Sequence, residues 1–250
     1  MTAYMTLLRR ELGSYFASLG GYVVVAAVLL MLGVSFCVIL EAYNGEAINA
    51  PLTELFYSTM FFWMILLVAA PVMTMRLFAQ ERASGTFETL MTTPVSDLQV
   101  VLAKFSAALA FYAITWLPLL GCLYLVNQYT SEAGRFPWWP AASTSVGILL
   151  LGCLYVSMGC FASAMTRSQI IAAMISFALG VSLFLLSFLK FSFESRVGWP
   201  ARVVNYISLL EHMEDFARGV VDTRHIVFYL SLTVLFLFLT LKVIESRRWK

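Results

Sequence analysis

Side chains able to do chemistry are sparse in this sequence, and their spacing argues against most of it. His212 stands among Glu211, Glu214 and Asp215, donor types that suggest a metal site. A structural or catalytic zinc centre takes further His or Cys ligands. None lies nearby in sequence, so the carboxylates read instead as ion-pair partners at three- and four-residue helical separations, Arg218 among them. Cys37, Cys122, Cys153 and Cys160 all lie inside apolar stretches, with no C-x-x-C pair and no His at ligand spacing; they read as small apolar side chains. No G-x-x-x-x-G-K-[ST] occurs, so the chain brings no phosphate cradle of its own. The apolar stretches offer Ser, Thr, Cys and Tyr without an ionisable partner, which leaves an intramembrane enzyme without a base. No catalytic, cofactor-binding or metal-binding residue is expected.

The elements that would hold any site are apolar and long. Of 250 residues, 61% are hydrophobic, 15% aromatic and 12% charged, where a soluble domain carries about a quarter charged. Sixteen basic and 14 acidic residues cannot cover the surface of a soluble globule of this size. Disorder is excluded by the aromatics. A net charge of +2, with no basic run beyond Arg247-Arg248, gives no reason to expect a nucleic-acid partner.

A membrane helix needs about 20 mostly apolar residues, and six stretches approach or reach that: Tyr22 to Leu40, Phe56 to Met75, Phe105 to Val126, Thr144 to Met165, Ile170 to Leu189 and Ile226 to Leu241. The expected fold class is an all-α integral membrane protein with both termini on one side. Arg9, Arg10, Arg76, Arg82, Lys104, Arg167, Lys242, Arg247, Arg248 and Lys250 flank the spans on that side, against Arg135, Lys190, Arg196, Arg202, Arg218 and Arg224 opposite. The excess puts both termini in the cytoplasm. The stretches so bounded hold no Asp, Glu, Lys, Arg or His, which argues against a proton-coupled carrier or a haem protein. Pro71 and Pro118 predict kinks in the second and third spans. Ala172, Ser176 and Gly180 form a small-residue row in the fifth, a seam either for another helix of the same chain or for a second copy.

Three segments outside the spans carry further pattern. Before the first, Tyr4, Leu8, Leu12, Tyr15 and Leu19 share a helical face, with Thr6, Arg10, Gly13 and Ala17 opposite, as in a helix lying in the membrane interface. Between the second and third, Gly85 can end one short helix, Thr86 to Met91 can form another and Pro94 closes it. Ser96 and Gln99 then form a capping box that starts the third span. Between the fifth and sixth, Val203, Tyr206, Ile207, Leu210, Met213 and Phe216 keep helical spacing, as in a segment that dips into the outer leaflet against protein.

The run Gln80-Glu81-Arg82-Ala83-Ser84-Gly85-Thr86-Phe87-Glu88-Thr89-Leu90, with Pro94-Val95-Ser96, closely resembles the loop of ABC-2-type transporter permeases. The stretch from Ser208 through His212, Asp215, Phe216 and Gly219 to Asp222, running into the final span and Glu245-Ser246-Arg247-Arg248-Trp249, resembles permeases of gliding motility and nitrous-oxide reductase maturation. That family often has Ser-Pro where this chain has Ser208-Leu209.

The resemblance implies one permease domain over 1–250: an interfacial helix at 1–20, spans one and two at 22–75, a coupling-helix loop at 76–104, and spans three to five at 105–189. An outer re-entrant segment at 190–225 and span six with a cytoplasmic tail at 226–250 complete it. It implies that Glu81, Arg82, Gly85, Thr86, Phe87, Glu88, Leu90 and Pro94 form the ATPase-coupling loop. The implied partners are ABC ATPase subunits, a second permease copy or homologous permease, and membrane lipid. ATP and Mg would be bound by the ATPase and not by this chain. The implied setting is the bacterial inner membrane and the implied activity is export. The alternative is a membrane scaffold that anchors a motility or maturation complex and transports nothing.

Overall fold

The computed structural model describes residues 2–42, 52–86, 95–129, 138–188 and 206–248. In chain order its helices are α1 (Thr2–Ala17), α2 (Leu19–Ala42), α3 (Leu52–Ser58), α4 (Met60–Thr74), α5 (Ala79–Ala83), α6 (Asp97–Tyr129), α7 (Trp138–Met165), α8 (Gln169–Ser187), α9 (Leu209–Ala217) and α10 (Thr223–Arg248). Six helices are long and apolar enough to cross a membrane, and no strand occurs among the described residues.

The spans gather around α7, which contacts α4, α6, α8, α9 and α10. Leu151, Leu154, Tyr155, Val156 and Met158 are buried on it. Beside it Phe56, Phe62, Trp63, Tyr112, Trp116 and Phe184 form a chain of ring contacts at centroid distances of 4.8 to 6.4 Å. Such edge and offset pairs fix side-chain orientation that apolar burial alone leaves free. Pro71 and Pro118 both sit inside continuous helices.

The helices overrun or split the apolar stretches in places that matter. The second stretch is two helices, broken at Thr59, whose hydroxyl donates to the Phe56 carbonyl. The third span is a helix of 33 residues, about 50 Å long, far more than the ~30 Å hydrocarbon core. It begins at Asp97 rather than Phe105, so the last part of the expected loop at 76–104 is helix and carries Lys104. Both halves of the predicted capping box form: the Gln99 N–H donates to Ser96 Oγ at 3.3 Å, and the Ser96 N–H to Gln99 Oε1 at 3.4 Å.

At the N-terminus the predicted face is packed, with one correction. Tyr4 donates to Ser106 Oγ at 2.9 Å, and Tyr15 stacks on Phe111 at 4.6 Å while its hydroxyl donates to the Met73 carbonyl. Leu12 also packs on the core. Leu19 does not belong to this face: it is 83% exposed, because the chain breaks at Ser18 and α2 starts afresh, with Ser18 Oγ and O both taking the Gly21 N–H.

Candidate functional site

α5 follows the α4 turn at Met75–Phe78 and is too short to hold itself. The first N–H groups of any helix lack intrahelical acceptors. Here Ser163 of α7 supplies one: its Oγ accepts from the Phe78 N–H at 3.0 Å and the Ala79 N–H at 3.1 Å, and donates to the Met75 carbonyl at 3.1 Å. Arg82 reaches the opposite way. Its guanidinium donates to the Ala164 carbonyl and, at 3.5 Å, to that of Thr166. These carbonyls lie at the C-terminal end of α7, where unpaired acceptors and the negative end of the helix dipole favour a cation.

Glu81 ties α5 to two further helices. Lys104 Nζ lies 2.8 Å from Glu81 Oε1 and 3.1 Å from Glu11 Oε1, with its side chain 3% exposed. Arg10 of α1 closes the network at 2.9 Å from Glu11 and 3.6 Å from Glu81. The pKa of Arg10 is pushed up, first by its hydrogen bond to Glu11 and further by the charges of Glu11 and Glu81, against the effect of burial. Lys104 also stands over the Phe78 ring at 5.5 Å. Two cations and two carboxylates thus join α1, α5 and α6, while Ser163 and Arg82 join α5 to α7.

Gly85 follows as α5 ends, with φ +74° and, among the described residues, no atom within 4 Å of where a Cβ would stand. Its backbone conformation calls for glycine. Thr86 is exposed, its hydroxyl 2.9 Å from that of Ser84 and 3.4 Å from the Glu81 carbonyl. Phe87, Glu88, Leu90 and Pro94, and with them most of the expected coupling helix, lie outside the described residues.

At the other end of α7, α9 is closed by local rules at both termini. Ser208 Oγ accepts from the Glu211 N–H at 3.4 Å, an N-cap. Gly219, at φ +89°, ends the helix: the Val220 N–H donates to the Asp215 carbonyl at 2.8 Å and the Gly219 N–H to that of Phe216 at 3.1 Å, the paired bonds of a Schellman ending. Phe216 is fully buried, and its carbonyl takes the Ser143 hydroxyl of α7. The Leu209 N–H donates to Ser187 Oγ at 2.9 Å, a bond that proline at this position cannot make.

His212 corrects the expectation that no second histidine is near. His225 of α10 stacks on it at 4.1 Å, His212 Nδ1 lies 3.3 Å from the Tyr229 hydroxyl, and Asp215 Oδ2 lies 3.7 Å from His225 Nε2. Burial, then the neighbouring His225, pushes the His212 pKa down to about 4. No group of three or more His, Cys, Asp or Glu placed to hold a metal occurs among the described residues. Ala172, Ser176 and Gly180 are all buried. A Cβ on Gly180 would come 2.8 Å from Tyr155 of α7, whose hydroxyl donates to the Gly180 carbonyl at 3.2 Å.

The family described as ABC-2 family transporter protein matches the chain over residues 3–193, from α1 through α8. The chain belongs to this family. It is thus a multi-pass membrane protein and a transport permease subunit, a component that is not itself catalytic. ABC-2 permeases work with ABC ATPase partners and often as dimers. Nothing among the curated proteins matches the chain. The segment from Ser208 to Gly219 lies beyond the matched residues, so the family assignment rests on α1 to α8 and not on α9.

Within this ABC-2 permease, sequence reasoning missed Lys104, Glu11, Ser163 and His225. Lys104 was legible in principle: it stands seven residues into a helix whose start the capping box marks, on a face continued by Val100 and Val101, which are buried. The other three act across 70 or more residues of chain, or across a turn, and nothing in their local sequence names these partners.

Proposed function

We propose that the chain is the permease half of an exporter whose separate ATPase subunits grip the loop from Gly85 to Pro94. The observation that carries this reading is the set of ties on α5. The loop springs from a segment fixed to α7 by Ser163 and Arg82 and to α6 and α1 by Glu81. A push on the loop is therefore delivered to spans three and four and to the N-terminal helix together. A loop attached only by its two chain ends would dissipate the same push in backbone rotation.

In this scheme Glu81 and Arg82 position the loop, Gly85 sets its turn, and ATP and Mg stay in the partner. Two permease copies, or this one with a homologue, enclose the path, and both termini lie in the cytoplasm of a bacterial inner membrane. The excess of Lys and Arg on the side of α1 and α5 supports that orientation.

The test is Gly85→Val in the permease copurified with its ATPase. An L-residue with a β-branch is strained at φ +74° by about 1–2 kcal/mol, and no atom of the described residues lies within 4 Å of its Cβ. ATP hydrolysis should persist while substrate movement per ATP falls at least several-fold. Transport unchanged by Gly85→Val would remove the docking role assigned to the loop.

A further inference from the structure

Between α1 and the α4–α5 turn lies an open cleft of about 680 Å³, whose walls include Arg10, Glu11, Glu81 and Lys104 together with Arg76 and Gln80. The first four are the charge network, in which two cations meet two carboxylates. Arg76 is different. It is exposed, and no acidic side chain among the described residues lies within ion-pair distance of it.

Its position is set by a glycine. The Arg76 guanidinium lies across Gly20 of α2, so close that a Cβ there would be 2.9 Å from Nη2 and 3.1 Å from Nη1. Gly20 is in the first turn of the first span, and Arg76 is the first charged residue after the apolar run of α4. Both facts put the guanidinium where hydrocarbon gives way to headgroups. A guanidinium offers a planar fork of donors that matches a phosphate in two-bond fashion. Gln80, exposed on the same wall, brings amide donors. Beside Gly20, α2 exposes Leu19, Tyr22 and Val23, an apolar strip along which acyl chains can run.

We propose that this cleft seats the phosphate of an anionic phospholipid, bound by Arg76 and flanked by Gln80 and Arg10. The basic wall at the junction of two spans supplies the charge, and the adjoining apolar strip favours a lipid over a soluble phosphate.

The full chain in nanodiscs of zwitterionic lipid is compared with the same chain in discs containing phosphatidylglycerol, and in zwitterionic discs with added inorganic phosphate. Phosphatidylglycerol should raise the thermal midpoint by about 4 °C at tenfold excess over its dissociation constant. Arg76→Gln should abolish the shift. Arg9→Gln, an exposed α1 cation outside the cleft, should keep it. Gly20→Val, whose side chain displaces the guanidinium while leaving it in the chain, should weaken it and decides the matter if Arg76→Gln does not fold. No shift in the wild type, or an equal shift in Arg76→Gln and Gly20→Val, overturns the proposal. A shift from inorganic phosphate without one from phosphatidylglycerol overturns it in favour of a soluble ligand.

Discussion

Replacing Lys104 by Met isolates the charge network from the packing around it. The substitution keeps an unbranched stem beside Phe78 and removes the ammonium, which lies 2.8 Å from Glu81 and 3.1 Å from Glu11. A pair of unit charges near 4 Å is worth about 4 kcal/mol at an effective dielectric constant of ~20, and desolvation offsets part of it. Deleting one partner of a buried pair costs about 3–5 kcal/mol, because the remaining charge stays out of water. Glu11 and Glu81 keep 13% and 19% side-chain exposure, and Arg10 stays within 3.6 Å of both. The low end therefore applies, about 3 kcal/mol. At about 2–4 °C per kcal/mol for a chain of this size, the thermal midpoint should fall by about 6–12 °C. Tryptophan fluorescence of the purified, detergent-solubilised protein follows the transition. Adding Glu81→Gln to the Lys104→Met chain should recover about 1–2 kcal/mol in a double-mutant cycle. A fall below about 2 °C, or losses that simply add, would refute the network as a structural tie.

Ser163→Ala removes the shared partner of two N–H groups and one carbonyl. At about 1 kcal/mol per buried bond the loss should be about 2–3 kcal/mol, with proteolysis between residues 76 and 86 accelerated; wild-type resistance there would contradict the role of Ser163. Stability should also fall on acidification. The His212 pKa is held down at about 4, below the ordinary ~6.5, so between these values the unfolded chain takes up a proton that the folded chain refuses. Stability is full above pH ~6.5 and up to about 3 kcal/mol is lost as pH drops to ~4. His212→Phe, which keeps a ring against His225, should lack this component, and equal pH slopes for the two chains would disprove it. Gly180→Val drives a side chain into Tyr155 and should cost about 1–3 kcal/mol in the isolated chain, whatever its oligomeric state; a cost that appears only in dimers would place the row at a seam between copies.

The six spans were legible because twenty apolar residues in a row have few other uses, and the capping box at Ser96 and Gln99 because its chemistry is entirely local. Legibility failed wherever distant chain supplies the partner. His212 looked like one imidazole among carboxylates, since the turn at Gly219 that folds His225 onto it carries no record of what it brings together. Lys104 counted only as one of the basic residues flanking the spans because apolar composition, not helix length, drew the boundary. Leu19 matched the α1 periodicity, and the break at Ser18 overrode it through backbone bonds at Gly21 that periodicity does not see. The family loop was recognisable as a motif, but its mechanical attachment depends on Ser163, which lies outside that motif.

Ser163 also constrains the order of assembly. The Phe78 and Ala79 N–H groups lie 85 and 84 residues before the hydroxyl that accepts from them. During synthesis, spans one and two enter the membrane with those donors unmet, and they stay so until span four arrives. Chains stalled before residue 163 therefore hold α5 through the Glu81 network with Lys104 and Arg10 alone. Insertion of span four is the step that adds the Ser163 and Arg82 ties to that network.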